Sequence, residues 1–196
     1  FVAAGAILWS VVPRRARFVE PGVRLTPSAQ PGLFAVLGAI ATATGQRVPE
    51  EAYLVGAVNA FVTQRGGILG FFRRRVIGIG LPLLRGLTVD QFRAVLTHEF
   101  GHFHGGDTAL GPWIHGTRSA IGRTIVSLMR VHSVLSYPFR AYGLLYMRIT
   151  QAISRAQELA ADRLAARVVG RTPLVTGLEA MPVLDTLFLH YWQMEF

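Results

Sequence analysis

The chain contains no cysteine. Disulfides and thiolate metal sites are excluded, so any bound metal must be held by His, Asp or Glu. Lysine is absent too: all 20 basic residues are arginine, set against 11 acidic ones, for a net charge of +9. Guanidinium groups suit phosphate and carboxylate partners, and a GC-rich genome gives the same arginine bias. Charge is scarce as a whole, at 16% of residues beside a hydrophobic fraction of 51%, which is the balance of a protein that neighbours a membrane. Phosphate-loop, helix-turn-helix, zinc-finger and RNP strings are all missing. The glycine-rich pieces at 66–67 and 78–80 therefore form no phosphate loop.

What is present fits one domain with a sizeable core, since 196 residues are too few to promise two. The sequence reads as a piece of a longer protein, beginning at Phe1 and stopping at Phe196 inside a helical stretch. Residues 1–13 are apolar but too short to span a bilayer. Arg14, Arg15 and Arg17 follow at once, so 1–17 is expected to be the cytoplasmic end of a transmembrane or membrane-proximal segment. Residues 18–32 carry Pro21, Gly22, Pro27, Pro31 and Gly32 and read as linker. The remainder, 33–196, is expected to be the folded domain.

Within that domain, 33–45 reads as a buried helix. The run from Val48 to Gly67 and the run 74–84 are both strand-like, giving a hairpin or two neighbouring strands, with Pro82 marking a strand end or a sheet edge. Thr88 and Gln91 sit at capping-box spacing, and Val89, Phe92, Val95, Leu96 and Phe100 recur at helical period, so a helix is expected from Thr88 to about His104. Gly105 and Gly106 stop it. Residues 117–136 are amphipathic. The apolar stretch 124–146 is interrupted by Arg130, His132, Pro138 and Arg140, and is expected to form two helices at a membrane surface or packed together, not one span. A long helix from about Arg140 to Val169 should place Ile149, Ile153, Leu159, Ala160 and Leu164 on one side. The tail from Leu174 reads as helical.

The string that carries chemistry is His98-Glu99-Phe100-Gly101-His102. On a helix, residues i and i+4 lie one turn apart on one face. Two imidazoles so placed reach a single Zn²⁺ at about 2.0–2.1 Å. Glu99 is offset around the helix, where it can hold a zinc-activated water and take its proton as general base. A bare H-E-x-x-H recurs by chance, but a well-capped helix is the context the motif requires. A catalytic zinc also needs a third protein ligand. Glu158 and Asp162 are an i, i+4 pair on the later helix. Glu158 can complete a His₂Glu site, and Asp162 can then accept a hydrogen bond from the outer nitrogen of a ligand histidine; taken alone, the pair reads equally as an ordinary solvated helix face.

HEFGHFHGGD together with SRAQELAAD resembles the membrane-associated zinc metallopeptidases of the HtpX and CAAX prenyl endopeptidase type, peptidase family M-forty-eight. The pattern is H-E-x-x-H at His98, Glu99 and His102, an Asp shortly after at Asp107, and S-R-x-x-E-x-x-A-D at Ser154, Arg155, Glu158, Ala161 and Asp162. The resemblance covers about residues 50–170. Asn59, Ala60 and Phe61 resemble the strand that precedes the site, and the run into Leu81-Pro82-Leu83 resembles the second strand. The resemblance implies an α+β, mainly helical, zincin-like fold: a small β-sheet or hairpin, then the H-E-x-x-H helix, then a second long helix with the third ligand. It implies one Zn²⁺ per chain and a polypeptide substrate lying along a strand edge.

Other residues carry less. His104 is two residues beyond His102 and faces elsewhere. His115, His132 and His190 stand alone and read as surface or core histidines. Asp107 reads as a structural residue that caps the following turn or braces the metal helix from its end, and Arg155 as a partner for a carboxylate near the site or as a solvated side chain. Arg73, Arg74 and Arg75 suit either a solvated loop or anionic lipid headgroups. The expected function is a zinc endopeptidase acting on proteins at or near a membrane, integral to the cell membrane with its site on the cytoplasmic side. Membrane lipid is an expected partner and nucleic acid is not. The alternative is an arginine-rich module that binds nucleic acid or a membrane surface without catalysis.

Overall fold

The computed structural model describes residues 19–65, 74–104 and 136–195. The segment 1–17 and the amphipathic stretch 117–136, apart from its last residue Ser136, lie outside them, as do Gly105, Gly106, Asp107, Arg73, His115 and His132. The chain divides into two compact units. One joins Phe18–Gly106 to Glu158–Phe196; the other joins Phe1–Arg17 to Asp107–Gln157.

The first unit opens with strand β1 (Val23–Leu25), helix α1 (Pro31–Ala43), and strands β2 (Glu51–Val55), β3 (Ala60–Arg65) and β4 (Arg74–Gly80). The sheet order is β1-β2-β4-β3, with β2 and β4 parallel and the other pairs antiparallel. Proline and glycine in 18–32 suggest linker, yet Val23–Leu25 pairs with β2 there. The run 48–67 holds two strands, not one, and β4 lies between them. Helix α2 (Leu81–Gly86) follows directly. Pro82 sits in its first turn, where a missing N–H costs nothing. It marks a strand end, but β4 is an inner strand, so the sheet-edge reading does not hold.

Alternation along the strands sends Ala52, Ile77, Ile79 and Ala60 to one face. There they join Leu37, Ile40 and Ala41 of α1 and Leu83 of α2 in the main core. Helix α3 (Val89–His104) adds Phe92, Val95, Leu96 and Phe100 to the same core. Glu51 and Tyr53 point the other way and are also buried. Glu51 reaches across β4 to accept hydrogen bonds from Arg65 on β3, and the Tyr53 hydroxyl donates to it at 3.0 Å. Burial pushes the Glu51 carboxyl up, but the hydrogen bonds from Arg65 and Tyr53 and the Arg65 charge outweigh it and hold the pKa below its ordinary value.

Helix α4 (Ser136–Val168) begins four residues earlier than its pattern suggests, because Pro138 falls in the first turn, where the N–H would be unpaired anyway. Its buried face in the first unit is Ala161, Leu164 and Ala165, while Ile149, Ile153 and Leu159 are exposed. Among the five residues expected to share one side, only Leu164 is buried. Gly170, at φ +114, ends the turn before helix α5 (Arg171–Glu195). Among the described residues, no helix is long and apolar enough to cross a membrane.

Candidate metal centre

The site is built on α3, and α3 is fixed at its start by the expected capping box. The Thr88 N–H donates to Gln91 Oε1 at 2.9 Å, and the Gln91 N–H donates to Thr88 Oγ1 at 3.3 Å. The Gln91 amide also reaches Thr176 on α5. Phe92, Val95 and Phe100 then lock the helix against the sheet. With that face committed to the core, His98, Glu99 and His102 are carried on the rest of the circumference.

The far end of α3 is held by a contact that the sequence does not advertise. Helix α1 ends in a Schellman turn: Gly45, at φ +66, donates to Thr42 O, and Gln46 N–H donates to Ala41 O at 2.8 Å. This turn aims the Gln46 side chain at α3, where its amide donates to the Phe100 carbonyl at 2.6 Å. Arg75 of β4 donates in turn to Gln46 Oε1 at 3.4 Å. The carbonyl so anchored lies between the two histidines of the motif.

His98, Glu99 and His102 place one donor atom each within 4.8 Å of one another, a set that could hold a metal ion. The two imidazoles meet edge to face, with ring centroids 5.0 Å apart. Glu158 of α4 faces both: its Oε2 is 3.4 Å from His98 Nε2 and 3.9 Å from His102 Nε2. Asp162, one turn on, takes the other nitrogen of His98, with Nδ1 to Oδ1 at 2.9 Å. A neutral imidazole donates from Nδ1 there and leaves the Nε2 lone pair directed at Glu158. Glu99 is partly buried, and burial, followed by the nearby charge of Glu158, pushes its carboxyl up to about 8.

The structure therefore brings together His98, Glu99, His102, Glu158 and Asp162. Asp107 lies outside the described residues. Of the three strand residues, Ala60 belongs to the core, the Phe61 ring packs over Gly78, and the Asn59 carbonyl accepts from the Gly80 N–H at 2.8 Å. Arg155 is exposed, as is His190. Gln46 and Gly101 were not singled out by the sequence. A glycine inside a helical pattern was the one available signal of a close approach at position 101.

The sequence profile of Peptidase family M48 matches residues 27–182. The chain belongs to peptidase family M48. Among its relatives are a "Protease HtpX homolog" of Pelodictyon phaeoclathratiforme, 27% identical over 81% of this chain and 61% of that protein, and one of Chlorobium luteolum, 26% identical over 70% and 53%. A "Protease HtpX" of Shewanella frigidimarina is 26% identical over 70% and 54%. This M48 chain thus spans a little over half the length of the curated relatives it matches. No solved structure matches it. Its mainly helical α+β architecture with a small sheet suits an M48 peptidase domain.

Proposed function

We propose that this chain carries the catalytic centre of a zinc-dependent endopeptidase, a zincin-like domain whose ligands are His98, His102 and Glu158. The observation that carries this reading is the convergence of His98 Nε2 and His102 Nε2 on one carboxylate oxygen of Glu158, at 3.4 and 3.9 Å. Two atoms on a single tetrahedral zinc at about 2.0–2.1 Å lie roughly 3.3–3.4 Å apart, so Glu158 Oε2 stands near ligand spacing from His98 Nε2 and somewhat beyond it from His102 Nε2. Two neutral nitrogens and one carboxylate are also the donor types such a zinc takes.

His98, His102 and Glu158 would hold the zinc, which would supply Lewis acidity for a peptide carbonyl and lower the pKa of a water to about 7. Glu99 is the general base: it accepts the water proton and delivers it to the leaving amine. A purely structural metal site would need no base beside the metal. Asp162 holds His98 in the Nδ1–H tautomer and keeps Nε2 free to ligate. Asp107, shortly after the helix, is assigned a bracing role.

The substrate is a polypeptide. Strand β3, which Asn59 leads into and Ala60 and Phe61 begin, ends the sheet order, and an extended peptide adds to such an edge through main-chain hydrogen bonds. Action near a membrane is part of the proposal, with 1–17 the end of a membrane-proximal segment, 18–32 leading from it, and 33–196 the peptidase domain with its site on the cytoplasmic side. Its support among the described residues is α4, where Tyr142, Leu144, Leu145, Met147, Ile149 and Ile153 are exposed alongside Arg148 and Arg155. No observation favours nucleic acid.

The test is to purify the chain, measure zinc by mass spectrometry, and follow cleavage of an unfolded protein substrate. One zinc per chain is expected, and Glu99→Gln keeps it while turnover falls by ~10²–10⁴-fold. Full turnover in that variant, or a chain that binds no zinc, removes the mechanism.

A further inference from the structure

Gly101 is buried in the last turn of the metal helix. A Cβ placed on it would lie 2.6 Å from the Ala161 Cα and 2.8 Å from the Ala161 Cβ. Ordinary contact begins at 3.4 Å, so a methyl group at position 101 is too close to α4 by about 0.8 Å. The obstacle is the backbone of a second helix, not the end of a flexible side chain, so it cannot swing aside. Ala161 is itself fully buried. The same contact zone holds Ala94 of α3 and Ala165 of α4, both fully buried.

The position of this contact along each helix matters more than its closeness. Gly101 follows His98 by three residues and precedes His102 by one. Ala161 follows Glu158 by three and precedes Asp162 by one. Each helix therefore carries one site residue a turn before the contact and another directly after it. Where the backbones touch at Gly101 and Ala161, the imidazoles of one helix face the carboxylates of the other. A glycine in a helix interior costs about 1 kcal/mol relative to alanine. At this position that cost is offset by an approach that no other residue permits.

We propose that the Gly101–Ala161 contact is a positioning device that sets the separation of the His98/His102 pair from the Glu158/Asp162 pair and so fixes the metal affinity of the site. Gly101 acts through α4 and touches no reacting group. The inference rests on the zinc reading, and the two can fail separately. Metal–ligand distances hold within about 0.2 Å of their ideal values, several times less than the displacement an added methyl group requires. Alanine at 101 therefore strengthens the isolated helix and weakens the site.

The experiment uses the full chain. Zinc affinity is measured by competition with a chromophoric chelator, and stability without zinc by urea denaturation. Wild type comes first: if it does not bind zinc, the site reading fails, and this inference with it. Gly101→Ala is expected to lose at least tenfold in zinc affinity while remaining folded. Gly177→Ala is the packing control. A Cβ there comes within 3.3 Å of Gln91 at the α3–α5 contact, and zinc affinity should not move. The double variant Gly101→Ala/Ala161→Gly shifts the methyl from one helix to the other at constant volume. It should regain part of the affinity, short of wild type because the Ala161 Cα position remains in the way. Wild-type affinity in folded Gly101→Ala overturns the proposal, and so does a double variant that regains nothing. If Gly101→Ala does not fold, the double variant decides alone, and wild-type affinity in it overturns the proposal.

Discussion

Asp162 Oδ1 lies 2.9 Å from His98 Nδ1, and Glu158 Oε2 lies 3.4 Å from the opposite nitrogen of the same ring. One imidazole is thus gripped from both sides by carboxylates one helical turn apart. Removing the outer partner frees the ring to rotate and to change tautomer. Asp162→Ala should weaken zinc binding by about 10–100-fold, read by chelator competition. Asp162→Asn keeps an acceptor for the Nδ1–H and should lose less. Equal affinity in Asp162→Ala and wild type would show that the ring is held by packing alone.

Glu158 is tested by its charge. Glu158→Gln keeps the shape and removes the anionic donor, so zinc affinity should fall by far more than in Asp162→Asn. Circular dichroism should report an unchanged helix content, because this side chain is exposed. Unchanged affinity would take Glu158 out of the ligand set.

The reach of Gln46 to the Phe100 carbonyl predicts a stability effect at a distance from the chemistry. Gln46→Ala leaves a buried helix carbonyl short of a donor and should cost about 0.5–1.5 kcal/mol in urea denaturation. Gly45→Ala should cost about 1 kcal/mol, because φ +66 strains any residue with a Cβ. The two effects should be less than additive, since the Gly45 turn is what aims Gln46. Full additivity would mean that the turn and the amide act independently.

Acid stability should depend on Glu51. Its folded pKa is depressed, so the unfolded chain binds the proton more tightly. The contribution is fully present above the ordinary value near 4.5 and is lost as pH falls through the lower folded value. Urea midpoints of wild type should therefore drop as pH falls below about 4.5. Glu51→Gln, less stable at pH 7, should show a shallower drop over the same window. Parallel curves for the two proteins would exclude Glu51 as a source of the acid sensitivity.

If α4 meets a membrane surface, the chain should sediment with vesicles containing anionic phosphatidylserine and much less with neutral phosphatidylcholine vesicles. Binding should weaken as salt rises, because arginine–headgroup attraction is screened. Equal recovery in the supernatant with both vesicle types would remove this surface from the proposal.

How much of this was legible in the sequence depended on the range of the interaction. The capping box at Thr88 and Gln91 and the histidine pair on α3 are set by contacts three or four residues apart, and both stand where the pattern put them. Glu158 and Asp162 were legible as one face of one helix, though nothing local said that this face meets α3. The strand run 48–67 was misread because β4, which divides it in space, comes later in the chain. The buried face of α4 was misread because the helix has apolar residues on several sides. Periodicity chose the bulky Ile149, Ile153 and Leu159, while the close approach at Gly101 selected the small Ala161 and Ala165. The bond from Gln46 to Phe100 spans 54 positions, and no window of sequence contains both ends.

The unit that holds the site is discontinuous: it leaves off at Gly106 and resumes at Glu158. The histidines therefore belong to one stretch of chain and the carboxylates to another, with the intervening residues assigned to a separate unit. The resumption point lies inside α4, which runs unbroken from Ser136 to Val168. The carboxylates therefore enter the unit part-way along a helix whose first turns are counted with the other one, and the histidines and carboxylates meet only where α3 and α4 touch at Gly101 and Ala161.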